Sequence, residues 1–165
     1  MIVNFENDIL PDYIINDILK DSNNMPWSGM GGKKTDNPNR IWMHQYDFKS
    51  FKYVCDLFTS NEYKNKYQVP LTSGCRIELS KDQEGCYLQP HYDDPDKIFT
   101  MQIYLTDSSV ATWFDNGPVI GKKNHAWWFH NTGTELHGLK PLKENRVTII
   151  INYVNDKWLD KSVLA

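Results

Sequence analysis

Apolar and polar positions fall into two regimes along the chain. In the first, apolar residues recur at three- and four-residue spacing. Over 11–20, Ile14, Ile15, Ile18 and Leu19 gather on one side, with Pro11 at the first helical position, which predicts a helix. Over 47–60, Phe48, Phe51, Val54, Cys55 and Phe58 repeat the spacing behind Asp47 as N-cap. Between these helices, Pro26, Gly29, Gly31, Gly32 and Pro38 punctuate a long loop. From Gly74 onward the period changes to two. Short runs rich in Ile, Val, Tyr, Phe and Trp, separated by Gly, Pro, Asp and Asn, predict strands near 76–79, 87–91, 98–105, 110–114, 118–120, 126–130 and 146–154. Helices followed by many short strands predict an α+β fold, a β-sandwich or barrel with helical support, rather than a parallel sheet.

Two strands carry a sharper message. Over 146–154, Val147, Ile149, Ile151 and Tyr153 share one face and Arg146, Thr148, Ile150 and Asn152 the other. The apolar set packs outward against helices or a second sheet, so the other set lines the interior and carries a guanidinium inside. A buried Arg needs an anionic partner. That partner is either a ligand carboxylate gripped by the planar fork or a structural Glu such as Glu78. Over 98–105, Thr100, Gln102 and Tyr104 oppose Phe99, Met101, Ile103 and Leu105 in the same way. Tyr104 is placed to donate its hydroxyl to the carboxylate that Arg146 holds.

Composition narrows the class. With 165 residues, 40% hydrophobic and 24% charged, the chain reads as one domain over 1–165, with helical support over about 1–73 and a strand core over about 74–154. Its longest apolar run, 147–154, is far too short for a membrane span, and the first residues lack the marks of a signal peptide. A formal net charge of −3 argues against broad nucleic-acid binding. Three cysteines, Cys55, Cys75 and Cys86, form no CxxC pair, in keeping with a reduced, cytoplasmic protein.

The candidate chemistry begins at His91-Tyr92-Asp93. Residues i and i+2 of a strand point to one side, so an imidazole and a carboxylate can stand together. A third ligand from another strand completes two His and one carboxylate on one face of a metal, with the remaining positions open. His137 follows the turn 132–136, and Arg146 comes nine residues later. A Zn(II) hydrolase could use the same three ligands with an activated water. A silent jelly-roll binding module could keep them as structure. Arg146 separates these readings, because a hydrolase has no general need for a buried guanidinium there.

With His91, Asp93, His137 and Arg146 assembled, the sequence resembles the 2-oxoglutarate- and Fe(II)-dependent dioxygenases, in particular their prolyl-4-hydroxylase-like branch. Leu88-Gln-Pro-His-Tyr-Asp93 resembles the first-ligand strand of that branch. Phe129-His-Asn131 and Leu136-His-Gly138 resemble the strand and turn that lead to its distal His. The resemblance spans about 74–154. It implies a double-stranded β-helix (a cupin-like jelly roll) with N-terminal helices on its major sheet. It implies Fe(II) on His91, Asp93 and His137, and 2-oxoglutarate held through its distal carboxylate by Arg146 with Tyr104 assisting. O2 is the other co-substrate, with ascorbate as an optional addition. The implied reaction hydroxylates an unactivated C–H bond, on a prolyl or other protein side chain or on a small molecule, and releases succinate and CO2. The stretch 109–114 stands where many relatives carry a Gly-Gly-Glu-Leu-like segment, and 146–152 lacks the second Arg of the nucleic-acid demethylases.

Other residues take humbler roles. Gly29 to Lys34 lacks phosphate-loop spacing, and Lys122-Lys123 reads as a solvated turn. His125 and His130 read as polar strand positions and Cys86 as a buried free thiol. Trp27, Trp42, Trp113 and Trp127 are candidates for a substrate wall, with Trp27 in the glycine-rich loop the candidate lid.

Overall fold

Two antiparallel sheets face each other across the polar interior that the strand alternation requires. A computed structural model describes residues 2–23, 40–44 and 49–155. The elements run β1 (Asn4–Asn7), α1 (Asp12–Asn23), β2 (Arg40–His44), α2 (Lys49–Thr59), α3 (Asn61–Lys66), β3 (Gly74–Asp82), β4 (Leu88–His91), β5 (Lys97–Tyr104), β6 (Ser108–Phe114), β7 (Gly117–Gly121), β8 (His125–His130), β9 (His137–Leu139) and β10 (Arg146–Val154). The major sheet has the order β1-β8-β5-β10-β3-β2 and the minor sheet β4-β9-β6-β7. This is an α+β double-stranded β-helix with helices on the outer face of its major sheet.

The outer core forms where period two meets period 3.6. Phe99, Met101, Ile103, Ile149, Ile151 and Tyr153 of β5 and β10 meet Ile14, Ile15 and Ile18 of α1 and Phe51, Val54 and Phe58 of α2. The opposite faces of β5 and β10 turn inward, as the alternation predicts. Inside, Tyr104, Phe114, Val119, Trp127 and Phe129 form a smaller aromatic cluster. A buried Asn124 ties the start of the helical layer to the β7–β8 turn: Leu10 N donates to its Oδ1 at 3.0 Å and its Nδ2 donates to Leu10 O at 2.7 Å. Asn124 has φ of 62°, a left-handed conformation that Asn tolerates.

Several boundaries differ from expectation. The first helix runs to Asn23, and α3, capped by Ser60 accepting from Tyr63 N at 3.3 Å, adds a turn of helix that no apolar stripe announced. The segment expected to be helical support also supplies β1 and β2. β1 is an edge strand of four residues whose Phe5 faces outward, so its pattern carries no burial signal. β3 extends three residues beyond the expected end at 79, through Ser80-Lys81-Asp82, which have no apolar alternation to reveal them. Asp47 as N-cap, most of the loop 25–38 and Trp27 lie outside the described residues. No helix among the described residues is long and apolar enough to cross a membrane.

Candidate metal centre

β4 and β9 pair so that His91 stands directly opposite His137, with ring centroids 4.4 Å apart. Asp93 lies two residues past the end of β4. One ligand atom from each of His91, Asp93 and His137 lies within 4.8 Å of the other two. The three residues that the sequence singles out are thus brought together, the third from another strand as expected.

Backbone carbonyls fix the imidazoles. His91 Nδ1 is 2.8 Å from Gln89 O, and His137 Nδ1 is 2.8 Å from Glu135 O. A carbonyl oxygen only accepts, so each Nδ1 carries the proton and each Nε2 keeps its lone pair for a metal. Glu135 in turn ties its own turn together. Its carboxylate accepts from Thr132 N at 2.9 Å, Thr132 Oγ1 at 2.6 Å and Thr134 N at 3.1 Å. Burial opposes the charge of Glu135, but these donors outweigh it and hold the carboxyl below its ordinary range.

Asp93 is held by two donors, Lys97 Nζ at 2.9 Å and Thr100 Oγ1 at 2.5 Å. Thr100 Oγ1 accepts in turn from Asn152 Nδ2 at 2.9 Å. Burial disfavours the charged carboxylate, yet Lys97 and the Thr100 hydroxyl prevail and its pKa falls below the usual value. Burial also lowers the pKa of His137, against its carbonyl partner and Asp93, and favours the neutral, ligating form.

Arg146 enters the interior, as its strand face predicts, but Glu78 is not its partner. Glu78 pairs with Arg76, whereas Arg146 Nε donates to Asp82 Oδ2 at 2.8 Å, with the two side chains 1% and 0% exposed. Register is the reason: Asp82 lies opposite Arg146 across the β3–β10 pair, and Glu78 lies opposite Ile150. Arg146 Nη1 is buried and has no hydrogen-bond partner. Its guanidinium carbon stands 5.7 Å from the Tyr104 ring centroid. The Tyr104 hydroxyl, expected to serve the carboxylate held by Arg146, meets Thr112 Oγ1 at 3.2 Å and accepts from Trp127 Nε1 at 3.3 Å. Thr112 Oγ1 donates to Gln102 Oε1 at 3.4 Å, and Gln102 Nε2 donates to Thr148 Oγ1 at 3.1 Å. Tyr104 therefore supports Arg146 through its ring face, while its hydroxyl joins an interior polar chain.

A cavity of about 240 Å³ connects these groups; His91, Asp93, His137, Gln102, Trp127 and Arg146 all line it. A larger depression of about 530 Å³, edged by Tyr67, Gln68, Trp128 and His130, contains none of the metal group. Two of its polar groups are matched within the fold, His130 Nε2 with Tyr67 O at 2.8 Å and Lys66 with Glu6. Trp127 is thus both core and cavity wall, and the Trp113 ring lies against Gly138 beside His137. Cys86 is buried with Leu139 and Leu142, apart from the centre. The side chains of Trp27 and Trp42 lie outside the described residues. Asp82, Lys97 and Glu135 escaped the sequence reading, which placed Thr100 on the inner face of its strand without giving it a role. Only Asp82 left a usable trace, since it continues the inward alternation of Glu78 and Ser80.

No family model matches the chain, and no curated protein matches it in sequence. Solved structures do. A prolyl hydroxylase from Trichoplax adhaerens, in complex with a hypoxia inducible factor oxygen degradation domain peptide fragment, is 16% identical with a TM-score of 0.74, covering 97% of this chain and 86% of that one. The viral collagen prolyl hydroxylase of Paramecium Bursaria Chlorella virus-1, as its 2OG complex, is 15% identical with a TM-score of 0.66, covering 92% and 96%. A Pseudomonas putida prolyl-4-hydroxylase is 11% identical with a TM-score of 0.70, covering 93% and 92%. At these identities the likeness is one of fold, and the chain takes the jelly-roll fold of the prolyl hydroxylases and the 2OG-Fe(II) oxygenase family.

Proposed function

We propose that the protein is an Fe(II)- and 2-oxoglutarate-dependent dioxygenase that hydroxylates an unactivated C–H bond and releases succinate and CO2. The observation that carries this reading is the unpartnered Nη1 of Arg146, buried at the wall of the cavity that His91, Asp93 and His137 also line. A buried guanidinium nitrogen without an acceptor is costly. A carboxylate arriving in that cavity would satisfy it, and Zn(II) hydrolysis has no general need for one.

The residues present fit the implied group. His91 and His137 would offer Nε2, and Asp93 a carboxylate oxygen whose charge partly offsets a divalent ion. Three ligands leave further coordination positions open, and a bound Fe(II) with 2-oxoglutarate supplies O2 activation there. The protein's own contribution is to orient and exclude. Gln89 O and Glu135 O hold the imidazole tautomers, Thr100 and Lys97 aim Asp93, and Asp82 braces Arg146 for the distal carboxylate. Trp127 and the Tyr104–Thr112–Gln102 chain close the interior to bulk water. A prolyl residue, another protein side chain or a small molecule fits the reaction class.

The test is spectroscopic. Anaerobic mixing of the apoprotein with Fe(II) and 2-oxoglutarate should give the visible charge-transfer band of chelated 2-oxoglutarate. His91→Ala should abolish the band, and Arg146→Ala should raise the 2-oxoglutarate concentration needed by about tenfold or more, the value of a charge-assisted pair. Folded protein that gives no band would return the reading to a zinc enzyme or a silent binding module.

A further inference from the structure

The two oxygens of Asp93 are held by donors of unlike kind. Oδ2 accepts from Thr100 Oγ1 at 2.5 Å, and Oδ1 accepts from the Lys97 ammonium at 2.9 Å. Thr100 is locked in place, since it is buried and its hydroxyl accepts from Asn152 Nδ2 at 2.9 Å. Lys97 is fixed through its backbone, whose N donates to Asp94 O and whose O accepts from Asn131 Nδ2, each at 2.9 Å. Beyond that backbone a flexible four-carbon stem carries the charge. The Lys97 side chain is 20% exposed against 5% for Asp93, so its ammonium can turn to water without crossing the core.

The ammonium and a divalent ion draw on the same charge. His91, Asp93, His137 and Lys97 line one cavity, and the first three bring their ligand atoms together there. An ion coordinated by Asp93 stands within a few ångströms of Lys97 Nζ. Like charges that close repel strongly where water is partly excluded. The carboxylate carries a single negative charge, and the two imidazoles are neutral ligands that add nothing to the balance. Asp93 alone has to offset both cations.

Aiming Asp93 does not require a charged donor. The Asn152–Thr100 chain orients the carboxylate from Oδ2, and a neutral donor at Oδ1 would complete the task without opposing the ion. A cation at Oδ1 does something that an aiming group does not. It lowers the affinity of the centre for metal.

We propose that Lys97 regulates metal occupancy, its ammonium competing with the divalent ion for Asp93 and yielding Oδ1 by turning to water. The ion is thereby held less tightly than His91, Asp93 and His137 alone would hold it. This rests on the metal centre of the dioxygenase reading and deepens it.

The experiment is a titration of the metal-free protein with Co(II), read from the ligand-field spectrum. Lys97→Met keeps the length of the side chain and removes its charge, and should tighten binding by about tenfold or more. Lys97→Gln should act in the same direction. Lys97→Arg keeps the charge and should bind within about threefold of the natural protein. Thr100→Val removes the aiming donor and should weaken binding, so two donors to one carboxylate move the affinity in opposite directions. Without metal, Lys97→Met leaves the Asp93 charge unpaired and should melt below the natural protein. Saturating Co(II) should then raise the melting temperature of that variant by the larger increment. Weaker or unchanged binding in Lys97→Met and Lys97→Gln, or equal tightening in Lys97→Arg, would overturn the inference and leave the metal centre standing. Natural protein that binds no Co(II) would overturn both.

Discussion

Arg146 can be buried because Asp82 is buried with it. The two side chains are 1% and 0% exposed and meet through a single hydrogen bond of 2.8 Å, which leaves Nη1 without an acceptor. Removing one partner of a fully buried pair strands the other, at a cost of about 3–5 kcal/mol. Asp82→Asn keeps the shape and deletes the charge, so its melting temperature should fall well below that of the natural protein. Among the described residues no other carboxylate is paired with Arg146, so an added carboxylate ligand would then supply the missing charge. With a redox-silent divalent ion present, 2-oxoglutarate should therefore raise the melting temperature of Asp82→Asn by more than it raises that of the unaltered protein. Equal increments in differential scanning fluorimetry would show that Arg146 does not receive the ligand.

The pairing of β4 with β9 controls whether the two imidazoles meet, and Gly138 controls that pairing. A Cβ built at Gly138 would stand 3.0 Å from Leu88 O and 3.0 Å from the Trp113 ring, and the backbone oxygen cannot swing aside. Gly138→Ala should cost about 1–3 kcal/mol by overpacking. It should also weaken Co(II) binding, read from the ligand-field spectrum, because β9 must move away from the strand that carries His91. The same scale explains what could be read in advance. β5 and β10 were legible because one face of each is wholly apolar, and His91, Asp93, His137 and Arg146 because their residue types and spacing carry chemistry. β9 was not, since three residues hold no period. Asp82 fell beyond the expected end of β3 because hydrophobic alternation cannot follow a strand into its polar residues. Lys97 and Glu135 stayed hidden, and Thr100 was legible only as an inward position, for a different reason: their partners are chosen by register and turn geometry, which no local pattern records.

At the scale of the molecule, the helical layer pressed on the major sheet buries groups that must stay neutral. Burial pushes the Cys55 thiol, beside Asp56, up to about 11, and the Cys75 thiol up to about 12, from an ordinary value of 9.0. Tyr67 and Tyr153 are likewise raised, chiefly by burial, Tyr67 donating to Glu6 Oε2 at 3.0 Å and Tyr153 to Phe58 O at 2.7 Å. Below pH 9 the native and unfolded chains both keep these protons, and the stabilisation is whole. Above it the unfolded thiols ionise while the native ones do not, so the unfolded state binds fewer protons and stability falls as pH rises. The tyrosines extend the loss beyond pH 10. Urea denaturation should therefore give a nearly constant unfolding free energy from pH 7 to 8.5, and a steady decline from pH 9 toward 12. Cys75→Ala should flatten the decline between 9 and 12 while leaving the neutral-pH cavity cost of a lost thiol. An unchanged slope in that variant would mean that Cys75 is not sealed between the helices and the sheet, and that this layer opens more readily than its packing implies.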